Sequence, residues 1–277
     1  MTTLTESNYY ERGTKALTCS KIKDFVTCPN YFYRKHITNE LEEESSDAFL
    51  IGGLVDKLLS GEDFGKMYEV VARRTPKLKA EAEERGVKLM LQSQLDEIIE
   101  VADAVDQTDA WKTIKEKGIF QSILQIPYKI NEHFDSLAGK PDVYWIDDEA
   151  TCFIVDLKTA ASAEHRKAYF QAMGFHYDWQ LANYRFLLKA LHPEIKKFRC
   201  FNLTVGKTKN IYGVELFEYD DFAIERAMFE INNVIEKIAA EKDYKKYNPS
   251  FLKPVPFGEF NVEGKVGKFD DRGGEDE

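Results

Sequence analysis

No C-x-x-C pair occurs among the four cysteines, Cys19, Cys28, Cys152 and Cys200, so the spacing that builds zinc modules is missing. So few and scattered thiols predict a reducing, cytoplasmic compartment. No apolar run approaches the roughly 20 residues that cross a bilayer, which predicts no membrane contact. The opening MTTLTESNYYERGTK has no apolar signal core. Positive charge is also short: 38 Lys and Arg against 48 Asp and Glu leave a formal charge of -10. That excludes a general basic coat for nucleic acid, but not a local basic groove around a metal. No internal repeat is present. What is there is 277 residues, 43% of them hydrophobic, enough for a packed core in one large domain or two small ones.

The pattern along the chain predicts a mixed α/β domain with a central sheet. Residues 1–17 read as a polar, loosely ordered lead-in. Residues 18–37 read as a helix with Ser20 as its cap, Ile22, Phe25 and Val26 on one side, and Pro29 as an interruption. LEEESSDA reads as an acidic loop. The helix AFLIGGLVDKLLSGEDF buries Phe49, Val55, Leu58 and Leu59; Gly52 and Gly53 within it predict a close neighbour. KMYEVVARRT reads as a short strand with a basic end, and residues 77–117 as charged helix broken near Gly86. SILQIPYKI, SLAGKPDVYWI and TCFIVDLKT read as three strands, with DDEA as a turn. Residues 164–191 are one long helix or two broken near Gly174. KKFRCFNLTV and IYGVELFEY are strands joined by GKTKN, and Asp220 or Asp221 caps a last helix. The tail 248–277 reads as partly disordered. One domain then spans 18–247, helical over 18–117 and sheet-built over 118–247.

The stretch AGKPDVYWIDDEATCFIVDLKTA carries the chemistry. Alternation on a strand puts Ile154, Asp156 and Lys158 on one face, and Phe153, Val155 and Leu157 on the other. A hairpin brings Asp142 alongside. Two close carboxylates repel unless a cation or proton intervenes, and a hard cation such as Mg²⁺ suits oxygen ligands, with Mn²⁺ as a substitute. Asp142, Asp156 and the Leu157 carbonyl then hold metal. Lys158 orients water or steadies charge on phosphate, which together suits phosphodiester hydrolysis. Alternatively, Asp142 marks a turn beside Pro141, and Asp156 and Lys158 are an exposed strand pair.

Pro141-Asp142 followed by Asp156-Leu157-Lys158 at a strand end resembles the signature of the PD-(D/E)XK nucleases. In FHYDWQLANYRF, Tyr177, Gln180 and Tyr184 fall at i, i+3 and i+7 on one helical face, similar to the Q-x-x-x-Y element of RecB-like members. The resemblance implies that Gln180 and Tyr184 point toward the metal and the DNA. IGGLVDKLLSGEDF resembles the helix of RecE-type exonucleases that carries G-x-x-x-H. Gly52 matches, but Asp56 stands where the family has histidine, and an aspartate there can ligate metal directly. The opening residues around Cys28 and Pro29 resemble members that bind an iron–sulfur cluster, yet no cysteine follows Cys200, so no cluster is expected. The resemblance covers residues 8–220 and points to the exonuclease VIII group of phages and prophages. It implies a restriction-endonuclease-like core and a 5′-to-3′ exonuclease acting on double-stranded DNA ends. It also implies a single-strand annealing protein as partner and a ring-shaped homo-oligomer.

Two other functions compete. One is an endonuclease, structure-specific or of the CRISPR-adaptation type. The other is a non-catalytic nuclease fold that binds DNA or a partner. Several residues carry lesser expectations. His165 and His176 flank the site helix. Arg166, Lys167, Lys189, Lys196, Lys197 and Arg199, with Lys207 and Lys209, form a basic set that could meet phosphate. RRTPKLK could be a DNA arm. Tyr31, Phe32 and Tyr33 could stack on a base or fill the core, and residues 229–238 form core or a subunit contact.

Overall fold

In the computed structural model, residues 2–11, 13–41, 47–62, 65, 67–207 and 212–244 are described. The tail 248–277, the Phe49 side chain, Lys209 and most of the acidic loop lie outside them. The chain begins by joining the core. Strand β1 (Ala16–Thr18) is paired, and Leu4 and Leu17 are buried, so the stretch before residue 18 is not a loose lead-in. Thr18, not Ser20, caps α1 (Cys19–Thr27) by accepting the Lys21 N–H. Cys28 is extended and Pro29 occupies the first turn of α2 (Pro29–His36), where its missing N–H costs nothing. The interruption expected at Pro29 therefore divides 18–37 into two helices.

Helix α3 (Asp47–Ser60) and strand β2 (Tyr68–Val71) follow as read. Thr75 caps α4 (Pro76–Glu84). Gly86 then takes a positive φ of 68°, and strand β3 (Lys88–Leu91) pairs in parallel with β2. This strand interrupts the stretch read as helix, because KLML inserts Met90 into a buried site. Helices α5 (Gln92–Asp106) and α6 (Asp109–Lys117) complete the N-terminal part. Then come β4 (Ile119–Phe120), β5 (Leu124–Pro127), β6 (Ser136–Gly139), β7 (Val143–Ile146) and β8 (Thr151–Ala160). Helices α7 (His165–Gly174) and α8 (Tyr177–Leu191) meet at His176, which has a positive φ of 50°. Strands β9 (Lys197–Gly206) and β10 (Val214–Tyr219) precede α9 (Asp221–Ala240), capped by Asp220.

The stretch read as one strand over 136–146 is two strands in different sheets. Pro141 cannot donate to a ladder, and the chain changes sheet there. β6 sits between β1 and β5 in a three-stranded sheet, whereas β7 enters a five-stranded sheet ordered β10-β9-β8-β7-β4. β8 and β9 run parallel and the other neighbours antiparallel. Both faces of this mixed sheet are covered. Ile154 and Cys152 meet the side of α8 and α9 bearing Leu181, Leu187 and Ile231. Val155 and Leu157 meet Leu54 and Val55 of α3 and Ile98 of α5. Each such fully buried aliphatic side chain contributes about 1.5–3 kcal/mol. Gly52 lets α3 lie against the end of β8, since a Cβ there would sit 3.0 Å from Thr159 Oγ1, while Gly53 has open space. On the other face, a Cβ at Gly139 would meet the Tyr184 ring at 2.9 Å, so glycine sets the approach of α8 to β6.

Candidate active site

Register brings the acids together. β7 and β8 pair Val143 with Val155; one more step in the same antiparallel register sets Asp142 opposite Asp156. β4 pairs Phe120 with Val143, which places Gln121 beside Asp142, and the Gln121 N–H donates to the Asp142 carbonyl at 3.0 Å. The Asp142 carboxylate accepts the Leu157 N–H through Oδ2 at 2.7 Å. Asp56 enters from α3. The Gln121 side-chain amide bridges it to Asp142, donating at 2.6 Å to Asp56 Oδ2 and at 3.4 Å to Asp142 Oδ1. Asp56, Asp142, Asp156, Leu157 and Lys158 thus gather at one end of the central sheet.

Asp156 is fully buried, and Oδ2 carries all of its hydrogen bonding. Lys158 forms an ion pair with that oxygen, and Asn202, opposite Asp156 on β9, donates to it at 3.1 Å. Tyr219 on β10 donates to Asn202 Oδ1 at 2.6 Å and fixes that amide. Among the described residues, Asp156 Oδ1 has no hydrogen-bond partner. A buried carboxylate oxygen left bare is costly, so the cluster is one member short.

A row of side chains runs outward from Lys158. Its ammonium donates to Gln180 Oε1 at 3.3 Å, Gln180 donates to the Tyr184 hydroxyl at 2.6 Å, and that hydroxyl donates to the Lys140 carbonyl at 3.0 Å. Gln180 therefore faces Lys158, whereas Tyr184 lies buried beneath it and holds the backbone just before Pro141. Tyr177 presents its ring face to Lys158, 5.1 Å from ammonium to ring centre, and Lys23 of α1 lies 6.0 Å from the same centre.

Crowding of acids shifts the titrations. Burial, then Asp156, push Asp56 from 3.8 up to about 6, against the pull of Lys158. Burial, then Asp56 and Asp156, hold Asp142 well above the usual carboxylate range. Burial alone would lower Lys158, but Asp156 and Asp142 outweigh it and the ammonium is held more tightly than usual. Each carboxylate would gain from a cation. The donor set is hard oxygen, and Asp156 Oδ1 is bare, so the residues fit a divalent ion such as Mg²⁺. Among the described residues no three His, Cys, Asp or Glu side chains already stand as a cage. Mg²⁺ does not need one, since it commonly keeps several waters and takes one or two carboxylates together with phosphate.

Asp56→Asn tests the crowding. A carboxyl whose folded pKa exceeds its unfolded value adds stability that is complete below pH 3.8 and lost as pH rises through about 6. The variant removes that loss. In metal-free buffer at pH 7.5 it is expected to be more stable by about 1–2 kcal/mol, with the gain vanishing near pH 4. Urea unfolding across that range measures it, and a pH-independent gain would refute the assignment.

The other candidates lie elsewhere. His176 packs on Trp179 and His165 on Phe217. Lys197 pairs with Thr151, seven residues from the Lys158–Thr204 pair in the β8–β9 register, or about 23 Å along the strand. Lys196 and Lys197 therefore sit at the far end of these strands from Lys158, whereas Arg199, paired with Phe153, is three residues from the Asp156–Asn202 pair. Lys189 caps carbonyls of Pro193 and Ile195, and Arg199 pairs with Glu218. In the basic stretch 73–79, Arg74 donates to Gln94 and Lys77 pairs with Glu81. Phe32 is core and Tyr33 stacks on Tyr244. Leu58 is exposed rather than buried, and Val26 is exposed while Ile22 and Phe25 are core. On α9, Ile231, Val234, Ile235 and Ile238 are core while Phe229 is exposed. No described helix is long and apolar enough to cross a membrane. Gln121, Asn202 and Tyr219 were not foreseen; only the strand register brings them to the acids.

Among solved structures, the fold is similar to that of a "putative exonuclease" from Eubacterium rectale, with a TM-score of 0.64 at 16% identity over 92% of this chain and 97% of that one. A phage-related exonuclease from Haemophilus somnus matches more distantly, with a TM-score of 0.34 at 13% identity over 81% and 93% of the chains. No curated protein matches. A family profile described as a PDDEXK-like domain of unknown function (DUF3799) matches residues 18–248, the span that holds every residue of the cluster. The chain belongs to that family, and its mixed sheet flanked by helices is the restriction-endonuclease-like fold.

Proposed function

We propose that the protein is a divalent-metal-dependent deoxyribonuclease that hydrolyses phosphodiester bonds from the ends of linear duplex DNA, in the 5′-to-3′ direction. The observation that carries the reading is the bare Oδ1 of fully buried Asp156 beside Lys158 and opposite Asp142. Asp142 and Asp156, with the Leu157 carbonyl, would hold Mg²⁺ or Mn²⁺ directly, and Asp56 would join them directly or through a water that the ion keeps. Bound there, the ion supplies charge stabilisation to the phosphate as its negative charge builds.

The protein's own groups do the rest. Lys158, held as ammonium by the two acids, is a donor rather than a base, and it orients the attacking water toward phosphorus. Water adds to phosphorus and loses a proton to solvent, the bond to the leaving oxygen breaks, and that oxygen takes up a proton from solvent, so the protons balance. Gln180 fixes the Lys158 side chain, and Tyr184 fixes Gln180 against the Lys140 carbonyl. Asn202, fixed by Tyr219, holds Asp156 through Oδ2 and leaves Oδ1 to the ion.

A linear duplex labelled at one 5′ or one 3′ end, incubated with Mg²⁺ or Mn²⁺, tests the reading. Early release of the 5′ label, with a closed circle left intact, is expected. Cutting of the circle would make the protein an endonuclease. No cleavage of any DNA with either ion would make it a non-catalytic member of its fold.

A further inference from the structure

Helix α7 is poorly explained by packing. Of its ten residues only Ala168 is buried. Tyr169, Phe170 and Met173 are 54%, 62% and 38% exposed, and Phe175 just beyond is 60% exposed. Soluble proteins scatter single apolar residues over their surfaces, but four in seven successive residues, on α7 and its cap, mark an interaction site. The cluster is also tied to the acids. Phe175 stacks on Tyr177 with ring centres 6.0 Å apart and planes within 16°, and the Tyr177 ring faces Lys158. Gln171 of α7 donates to the Tyr177 hydroxyl at 3.0 Å. Cations are interleaved: Arg166 lies 5.9 Å from the Phe170 ring centre, and Lys23 stands by Tyr177.

We propose that Tyr169, Phe170 and Phe175 form a stacking surface for unpaired bases at a DNA end, beside the cluster that holds the scissile phosphate. The inference rests on the nuclease reading above. Flat exposed rings with interleaved cations suit single-stranded nucleic acid, because every base offers a face for stacking and every linkage a charge. In an intact duplex the linkages are charged too but the base faces are stacked on one another, so the surface would select frayed or tailed ends. A second copy of this chain is the weaker occupant. Four partly exposed side chains offer roughly 400 Å², about half of what each partner buries in a stable interface.

The experiment measures binding without cleavage, using the full wild-type chain in metal-free buffer with EDTA. Affinity is read by anisotropy for a blunt duplex, the same duplex with three unpaired terminal nucleotides, and a closed circle. 2-Aminopurine at the unpaired positions reports stacking. The tailed end is expected to bind about tenfold more tightly than the blunt end, with quenched 2-aminopurine. Adding Phe170→Ala and Phe175→Ala is expected to remove the preference and the quenching while leaving the circle unaffected. These side chains are exposed, so unfolding is not the expected cause; matching melting curves check this. Binding that ignores the tail, or that the two substitutions leave intact, overturns the stacking surface alone. A change of oligomeric state in the variants reassigns the face to a subunit contact. No DNA binding by the parent overturns the nuclease reading with it.

Discussion

Lys158→Ala is expected to slow cleavage of a linear duplex about a thousandfold while leaving DNA binding in place. A positioned donor at the reacting group contributes in this range, and Lys158 is the ammonium that Asp156 and Gln180 aim into the cluster. The same substitution leaves Asp156 fully buried with no cationic partner. Removing one member of a buried pair costs on the order of 3 kcal/mol, so the metal-free variant should unfold at markedly lower urea. Divalent ion should return part of that loss, because it replaces the missing positive charge. Single-turnover cleavage and urea unfolding, with EDTA and with Mn²⁺, measure both effects. Unimpaired cleavage would remove Lys158 from the reaction.

Asp156→Asn carries the second large effect. The change is isosteric, and the new amide can still accept from Asn202 and Lys158 through its oxygen, so the fold should survive at a reduced stability, since the anion of the buried pair is lost. The bare carboxylate oxygen becomes an NH₂ group that repels a cation. Mn²⁺ at a hundred times its dissociation constant stabilises a folded protein by about 2.7 kcal/mol. Wild type should show a gain of that order, and the variant should show none. Cleavage should fall by more than a thousandfold, as transition-state charge goes unanswered. Equal stabilisation of both proteins by Mn²⁺ would mean that the ion binds elsewhere.

Part of this was legible in the residues themselves. Alternation along TCFIVDLKT put Asp156 and Lys158 on one strand face and Val155 and Leu157 on the other, and both faces are packed as that pattern requires. The spacing of Tyr177, Gln180 and Tyr184 placed them on one face of α8, since i, i+3 and i+7 share a helical stripe. Gly52 announced a close neighbour, which proves to be Thr159. These are local rules, periods of 2 and 3.6 and the absence of a Cβ, and they operate within a few residues.

Other features needed the tertiary structure. Strand β3 lies in a charged, helix-prone stretch and exists because β2 pairs with it. Asn202 and Tyr219 lie 46 and 63 positions after Asp156, and Gln121 lies 65 after Asp56. No local pattern joins them; the parallel β8–β9 register and the antiparallel β4–β7 and β9–β10 registers do. The sequence by itself determined the residue types of the cluster and the face on which each would stand. The tertiary structure decided that Tyr184 is a buried support and that the basic run at the start of β9 belongs to the far end of the sheet. It also decided that one oxygen of Asp156 is left bare. The reason is physical: side-chain direction follows from local backbone geometry, whereas which polar atoms find partners depends on pairing between strands distant in the chain.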